Sequence, residues 1–332
     1  MKKKIVITGG AGFIGSHLVN FLLKDKHEII VIDDFSTGDI ENLHPDATLH
    51  KAALENIDTS ILEGVDIIFH LASISGEAVS FHSPNTCFLR NIQASCNLLR
   101  CCIEAKVKKI VFTSSMAVYG NRQTAPFSED LPCNPTDPYG VSKQTIENLI
   151  RTYGNLNFFE WNILRLHTVY GSRMNLSDPY RGVTGIFISQ ALQKKAVSIY
   201  GDGMQTRAFT FVEDIIPNIA KSGLDESINK QILNLGSGRP WSLINVAKAV
   251  FEILGEPENI SFFPQRMGEA KDAFTTSQRA REVFGDLPET DFRVGLASTI
   301  AWAKTKNNLR FNAKMLDLDL NLGESPIPWL KG

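Results

Sequence analysis

Asp137-Pro138-Tyr139-Gly140-Val141-Ser142-Lys143 is the stretch whose residue types and spacing could do chemistry. It reads as a helix start, with Asp137 as N-cap and Pro138 at the first helical position, where a missing N–H costs nothing. Tyr139 and Lys143 then lie four residues apart on one face. A tyrosine of pKa about 10 is roughly a thousandfold protonated at pH 7, so using it as a base costs about 4 kcal/mol. A cation held about 5 Å away at an effective dielectric near 20 returns about 3 kcal/mol. Lys143 and a second cation from a bound group would together make Tyr139 a workable proton-transfer residue. Any solvated helix face can carry such a pair, so the rest of the chain must supply that second cation and the elements that position it.

Those elements start at the N-terminus. Lys4-Ile5-Val6-Ile7-Thr8 is a β-rich run, followed at once by Gly9-Gly10-Ala11-Gly12-Phe13-Ile14-Gly15 and then by helical apolar spacing through Leu23. Gly9, Gly12 and Gly15 stand where a tight turn, close approach to a pyrophosphate and close helix–strand packing each exclude a side chain. A second buried-strand run, Glu28 to Ile32, ends in Asp33-Asp34, eighteen residues after Gly15. A carboxylate there accepts the ribose hydroxyls of adenosine and repels a 2′-phosphate, which points to NAD rather than NADP. An oxidised nicotinamide ring is then the second cation. Alternation continues through Val65–Ala72, a helix over Asn91–Ala105 and Lys109–Ser115, and it predicts an α/β fold with a doubly wound parallel sheet whose ligands lie at the carboxyl ends of its strands. His70 also ends a strand, and a hydrogen-bonded structural role is the simpler reading. The helix carrying Leu98, Leu99 and two cysteines is apolar over much of its surface, which marks it for burial or a subunit interface.

Composition narrows the partners. A chain of 332 residues with net charge −2 has no basic excess to neutralise a nucleic acid or an anionic membrane. No run approaches the roughly 20 apolar residues of a membrane span. Cys87, Cys96, Cys101, Cys102 and Cys133 are odd in number and fit reduced thiols in a cytoplasmic protein, and no Cys/His spacing suggests a metal.

With the glycine turn, Asp33, His70-Leu71-Ala72-Ser73, Thr113-Ser114-Ser115-Met116-Ala117-Val118-Tyr119-Gly120 and Tyr139-Gly140-Val141-Ser142-Lys143 in order, the chain resembles the extended short-chain dehydrogenase/reductases. Within them it is most similar to the nucleotide-sugar epimerases typified by UDP-glucose 4-epimerase, from Lys4 to about Ala303. The resemblance implies a Rossmann domain with a smaller C-terminal α/β substrate lobe and a homodimer. It implies Tyr139 as base, Lys143 as its electrostatic partner and ribose ligand, and Ser115 as the hydroxyl sharing the proton at the sugar oxygen. Cofactor contacts would come from Gly9, Gly12, Phe13, Ile14, Gly15, Asp33, Asp34, Leu71, Ala72, Asn91, Ser114, Tyr139 and Lys143. Substrate contacts would come from Ser115, Thr168, Arg207, Arg266 and Ala273, the two arginines gripping the diphosphate.

Departures from the pattern bear on the reaction. The acidic feature that holds the adenine is replaced near Lys51-Ala52-Ala53, an asparagine by Thr168, and an aspartate after Arg207 by Ala208. Met116-Ala117 stand where related dehydratases carry Asp-Glu and glucuronate decarboxylases a glutamate, which argues against elimination. Aligning Arg266-Met267-Gly268-Glu269 puts Ala273 where a bulky residue closes the pocket around the C2 substituent, so UDP-GlcNAc or UDP-GalNAc is expected beside or instead of UDP-glucose and UDP-galactose. C4 epimerisation through a 4-keto sugar is the leading reading. A dehydratase, 5-epimerase or reductase of the same fold, or a non-catalytic NAD-binding regulator, are the alternatives. The expected layout is residues 1–165 with about 209–238 as the NAD domain, 166–208 with 239–305 as the sugar-nucleotide lobe, and a tail over 306–332 whose Met315–Gly323 alternates like a strand.

Overall fold

The computed structural model describes residues 2–266, 270–307, 309–312, 318–320, 322 and 327. In the first half of the chain, strands β1 (Lys4–Thr8), β2 (Glu28–Asp33), β3 (Thr48–Lys51), β4 (Ile67–His70), β5 (Lys109–Ser115) and β6 (Glu160–Leu166) alternate with helices. These are α1 (Phe13–Leu23), two short turns α2 (Glu77–Ser80) and α3 (Pro84–Cys87), then α4 (Ala94–Glu104) and α5 (Pro138–Asn155). A π-helical stretch, Phe88–Gln93, joins α3 to α4. The second half holds β7 (Thr168–Tyr170), α6 (Val183–Leu192), β8 (Val197–Tyr200), β9 (Thr206–Phe211), α7 (Val212–Leu224), β10 (Gln231–Leu235), β11 (Pro240–Ser242), α8 (Leu243–Leu254), β12 (Ile260–Phe263), β13 (Asp272–Ala273), α9 (Gln278–Phe284) and α10 (Phe292–Ala303).

Seven strands form one parallel sheet in the order β10-β6-β5-β4-β1-β2-β3. The order reverses beside β1, which opens a crevice at the carboxyl ends of the strands. Register lines those ends up: Thr8 pairs with His70, His70 with Phe112, and Ser115 with Leu166. Side chains alternate across the pleat, so Ile5 and Ile7 pack with Leu18, Ile215 and Ile219 on one face. Val6 packs with Leu98, Leu99, Ile110, Ile146 and Ile150 on the other. Burial on both faces accounts for the unbroken apolar strands seen in the sequence.

The smaller lobe is built around β9, paired antiparallel with β11 and parallel with β7 and β13, with β8 and β12 as a separate parallel pair. Its core joins Tyr170, Phe187, Phe209, Val246, Phe292 and Leu296.

One expectation is met and one is corrected here. Leu98, Leu99, Cys101 and Cys102 are buried inside the subunit, the first of the two roles expected for this apolar helix. The tail over Leu318–Leu320 is not a strand, and its Asp319 instead takes the Thr86 amide at 3.0 Å while its own amide reaches the His82 carbonyl at 2.8 Å. Residues 315–317, 321 and 323, with Met267-Gly268-Glu269, lie outside the described residues. Among the described residues no helix is long and apolar enough to cross a membrane.

Candidate active site

A cavity of about 1150 Å³ runs along the carboxyl ends of the sheet and under the smaller lobe. At one end it is lined by the glycine turn. Gly9 has φ +71°, and a Cβ there would come within 2.8 Å of the Ala72 amide, while one at Gly15 would meet the Gly9 carbonyl at 2.1 Å. Only glycine fits both positions. Helix α1 starts with no side-chain cap and no acidic residue in its first turn, so its amide end suits an anion. The Asp33 carboxylate closes this end, accepting from the Ala11 amide at 2.9 Å and the Phe35 amide at 2.8 Å. Burial pushes its pKa up, and these two amides pull it back. Asp34 is paired with Arg90 at 3.0 Å.

The middle of the cavity holds Tyr139, Lys143 and Ser115. Asp137 caps α5 by accepting from the Gly140 amide at 2.8 Å, as the sequence predicts, and this presents Tyr139 and Lys143 on one face. Lys143 donates from Nζ to the Thr113 carbonyl at 2.9 Å and lies 4.7 Å from the Phe112 ring centre. Burial lowers its pKa to about 7. Burial drives the Tyr139 phenol well above its usual range, the neighbouring Ser115 hydroxyl lowers it, and the Glu77 carboxylate raises it further. Ser115 is fixed at the end of β5, where its Oγ accepts from the Ala117 amide at 3.1 Å. The chain alone therefore does not ionise this phenol at neutral pH. A bound cation must complete the field.

Ser114 is held beneath by Glu147, donating to Oε1 at 2.5 Å. Glu147 in turn forms a two-pronged buried pair with Arg165, at 2.9 and 2.7 Å, and Arg165 reaches the Tyr119 hydroxyl at 2.9 Å. This network ties β5, β6 and α5 together under the catalytic face. His70 is structural: its ring nitrogens meet Thr8 at 2.8 Å and Ser95 at 2.9 Å.

Beyond Tyr139 the cavity is lined by Thr168, Arg207, Arg266 and Ala273, with Tyr200 and Glu77. The Arg266 guanidinium carbon sits 3.8 Å from the Tyr200 ring centre, a stacked cation and ring at the far end. Arg207 donates to the carbonyls of Thr206 at 2.7 Å, Ala270 at 3.0 Å and Lys271 at 3.2 Å, so a diphosphate would have to share or displace those acceptors. Every residue expected at the site lines this cavity except Asn91. That side chain is buried below it, accepting from the Ile74 amide at 2.8 Å and donating to the Ile74 carbonyl at 2.9 Å and Ser142 at 3.0 Å. It holds the loop after β4 rather than facing a ligand. Among the described residues no cluster of His, Cys, Asp or Glu could hold a metal ion.

The profile of the NAD dependent epimerase/dehydratase family matches residues 5–236. The chain belongs to that family. Its cofactor is NAD, and the glycine cradle, the uncapped start of α1 and the buried Asp33 carboxylate fit that group. Among members of the family it is similar to a Bacillus subtilis (strain 168) protein named an uncharacterized UDP-glucose epimerase, 35% identical over 90% of this chain and 97% of that one. A UDP-N-acetyl-alpha-D-glucosaminuronate decarboxylase of Bacillus cytotoxicus is 31% identical over 93% of this chain and 100% of that one. The solved UDP-N-acetylglucosamine 4-epimerase from Methanobrevibacter ruminantium, in complex with UDP-N-acetylmuramic acid, superposes with TM-score 0.86 at 30% identity over 92% of this chain and 99% of that one. The family thus spans several UDP-sugar reactions on one scaffold.

Three residues of the site escaped sequence reasoning. Glu77 lies on a four-residue helix too short for periodicity to reveal. Arg90 looks like any surface charge until Asp34 and Glu55 are placed around it. Tyr200 was legible as an aromatic ending a strand run, but its ring stack with Arg266 is a tertiary contact.

Proposed function

We propose that the protein interconverts the C4 epimers of a UDP-linked hexose through a transient 4-keto sugar. The observation that carries this reading is the convergence of Ser115, Tyr139 and Lys143 on one cavity that fits a dinucleotide at one end and offers Arg207 and Arg266 at the other. NAD, when bound, supplies the hydride acceptor at the sugar's C4 and returns the hydride. Tyr139 takes the C4 hydroxyl proton, Ser115 holds the same oxygen, and Lys143 stabilises the phenolate; positioned proton transfer of this kind is worth about 10²–10⁴-fold. Arg207 and Arg266 anchor the diphosphate while the keto sugar turns over and is reduced on its other face. Met116 and Ala117 put no acid beside the sugar from the end of β5.

One observation favours a second reading. Glu77 brings a carboxylate close enough to Tyr139 to shift it, and such a group could remove the C5 proton of a 4-keto sugar, giving 5-epimerisation or elimination. A panel of UDP-, GDP- and dTDP-sugars incubated in D₂O separates the two. Epimers at C4 with no deuterium in the sugar ring support the proposal, whereas deuterium at C5 or loss of water replaces it with the second reading.

We further propose a homodimer. Phe88 and Leu89 on the π-helical stretch and Val141 on α5 are exposed apolar side chains on elements packed against each other. Val141→Asp should shift the mass measured by light scattering from dimer to monomer, and a wild-type monomer would end the idea.

A further inference from the structure

Where the dinucleotide cavity is lined by the ends of β2 and β3, its wall includes the apolar Ile32, Ala53 and Leu54, the carboxylates of Asp34 and Glu55, and Arg90. Arg90 is held from two elements at once. Its Nη1 donates to Asp34 Oδ2 at 3.0 Å, beyond the end of β2, and to Glu55 Oε1 at 2.8 Å, on the turn after β3. Both anchors are themselves fixed. Asp34 accepts the Ser36 amide at 2.8 Å, and the turn carrying Glu55 is clasped by Asn97, which donates to the Leu54 carbonyl at 2.8 Å and the Ile57 carbonyl at 2.9 Å. A planar guanidinium restrained in this way presents a fixed face, and a guanidinium face stacks well on an aromatic ring.

We infer that Arg90 is the platform for the adenine of NAD: Asp34 and Glu55 lock its guanidinium plane against the adenosine end of the cavity, and the purine lies on that plane opposite the Ile32, Ala53 and Leu54 side. The carboxylates nearest this wall, Asp34 and Glu55, are engaged by Arg90 rather than turned to the purine edge, so recognition here is by face. With its charge matched by two carboxylates, Arg90 is not a receptor for a 2′-phosphate. The inference uses the NAD assignment and not the sugar reaction, so it stands or falls separately from C4 epimerisation.

Calorimetric titration of the cofactor-free protein with NAD⁺ and with ADP-ribose tests it. Arg90→Ala should weaken both by the same factor, about tenfold, because the lost contact lies on the half they share. Arg90→Lys, which keeps the charge and loses the plane, should be nearly as weak as Arg90→Ala. Nicotinamide hypoxanthine dinucleotide, which alters the purine edge and keeps its face, should bind the wild type within about threefold of NAD⁺. Glu55→Gln, which retains Arg90 and slackens one anchor, should fall between wild type and Arg90→Ala. If Arg90 only straps β2 to the turn, its variants lower the melting temperature, lysine restores it, and ADP-ribose affinity stays at the wild-type value in protein that is folded by circular dichroism; that pattern overturns the inference, as does strong rejection of the hypoxanthine analogue.

Discussion

Ser115 at the end of β5 and Tyr139 in the first turn of α5 line the same cavity, the serine near enough to lower the phenol's pKa, and the Ala117 amide at 3.1 Å holds the serine oxygen in place. That amide occupies one lone pair and leaves the hydroxyl proton for the phenol or the sugar oxygen. Tyr139→Phe should lower turnover by about 10²–10⁴-fold and Ser115→Ala by about 10²-fold, both with NAD⁺ affinity little changed. Stopped-flow or coupled assays on a UDP-hexose measure this, and full activity in Tyr139→Phe would remove the base from the mechanism.

Lys143 is a buried amine whose pKa falls from 10.5 to about 7. A base depressed in the folded state works against folding: the penalty is complete below about pH 7, shrinks as pH rises, and is gone above the unfolded value of about 10.5. Removing the amine leaves the Thr113 carbonyl one donor short, at about 1 kcal/mol. Lys143→Met should therefore make the cofactor-free protein more stable at pH 7, by about 3 kcal/mol net, with the advantage fading toward pH 10. Turnover should be lost at every pH. Urea unfolding across that range reads the sign, and a stability loss at pH 7 would show that the lysine is held charged.

The parallel sheet, the glycine turn and the Tyr139–Lys143 pair were legible because each is written in residue type at short, fixed spacing, whereas Ser115 came only with the family resemblance. Gly9 and Gly15 are required by contacts of 2.8 and 2.1 Å that no other residue survives, so the motif carries its own geometry. Asn91 shows where that stops. Expected as a cofactor contact, it turns under the loop toward Ile74 and Ser142, which only the three-dimensional packing of Phe88–Gln93 decides. Arg207 is similar: the sequence supplies a cation in the right strand, and the carbonyls of Ala270 and Lys271 that occupy it belong to a segment more than sixty residues away. Long-range partners of polar side chains leave no periodic trace.

Glu77 brings a carboxylate to the neighbourhood of the Tyr139 phenol. It stands just after Gly76, whose left-handed φ of +117° directs the chain. A carboxylate beside Tyr139 disfavours a sugar that carries its own carboxylate, so neutral hexoses should be preferred to UDP-glucuronate. Glu77→Gln should leave epimerisation of a neutral hexose within about threefold and tighten UDP-glucuronate by about fivefold to tenfold, the size of one screened repulsion. Inhibition constants for UDP-glucuronate measure it. Loss of all turnover in Glu77→Gln, with folding intact, would instead make the carboxylate a reacting group.

Ala273 pairs in parallel register with Arg207 and is buried against Met116, Val118, Tyr119 and Phe127 while lining the cavity. Because Ala273 lines the cavity, a tyrosine here that reaches away from this apolar cluster extends into the space where the sugar turns. An N-acetyl group at C2 is the bulkiest part of that sweep. Ala273→Tyr should reduce kcat/KM for UDP-GlcNAc by at least about tenfold more than for UDP-glucose, the range that one steric clash in a fitted pocket produces. Parallel assays on the two substrates, with melting temperature as the check on folding, decide the matter: equal losses would place the acetyl group elsewhere in the cavity, and wild-type turnover of only the unacetylated sugar would remove the acetylated substrates altogether.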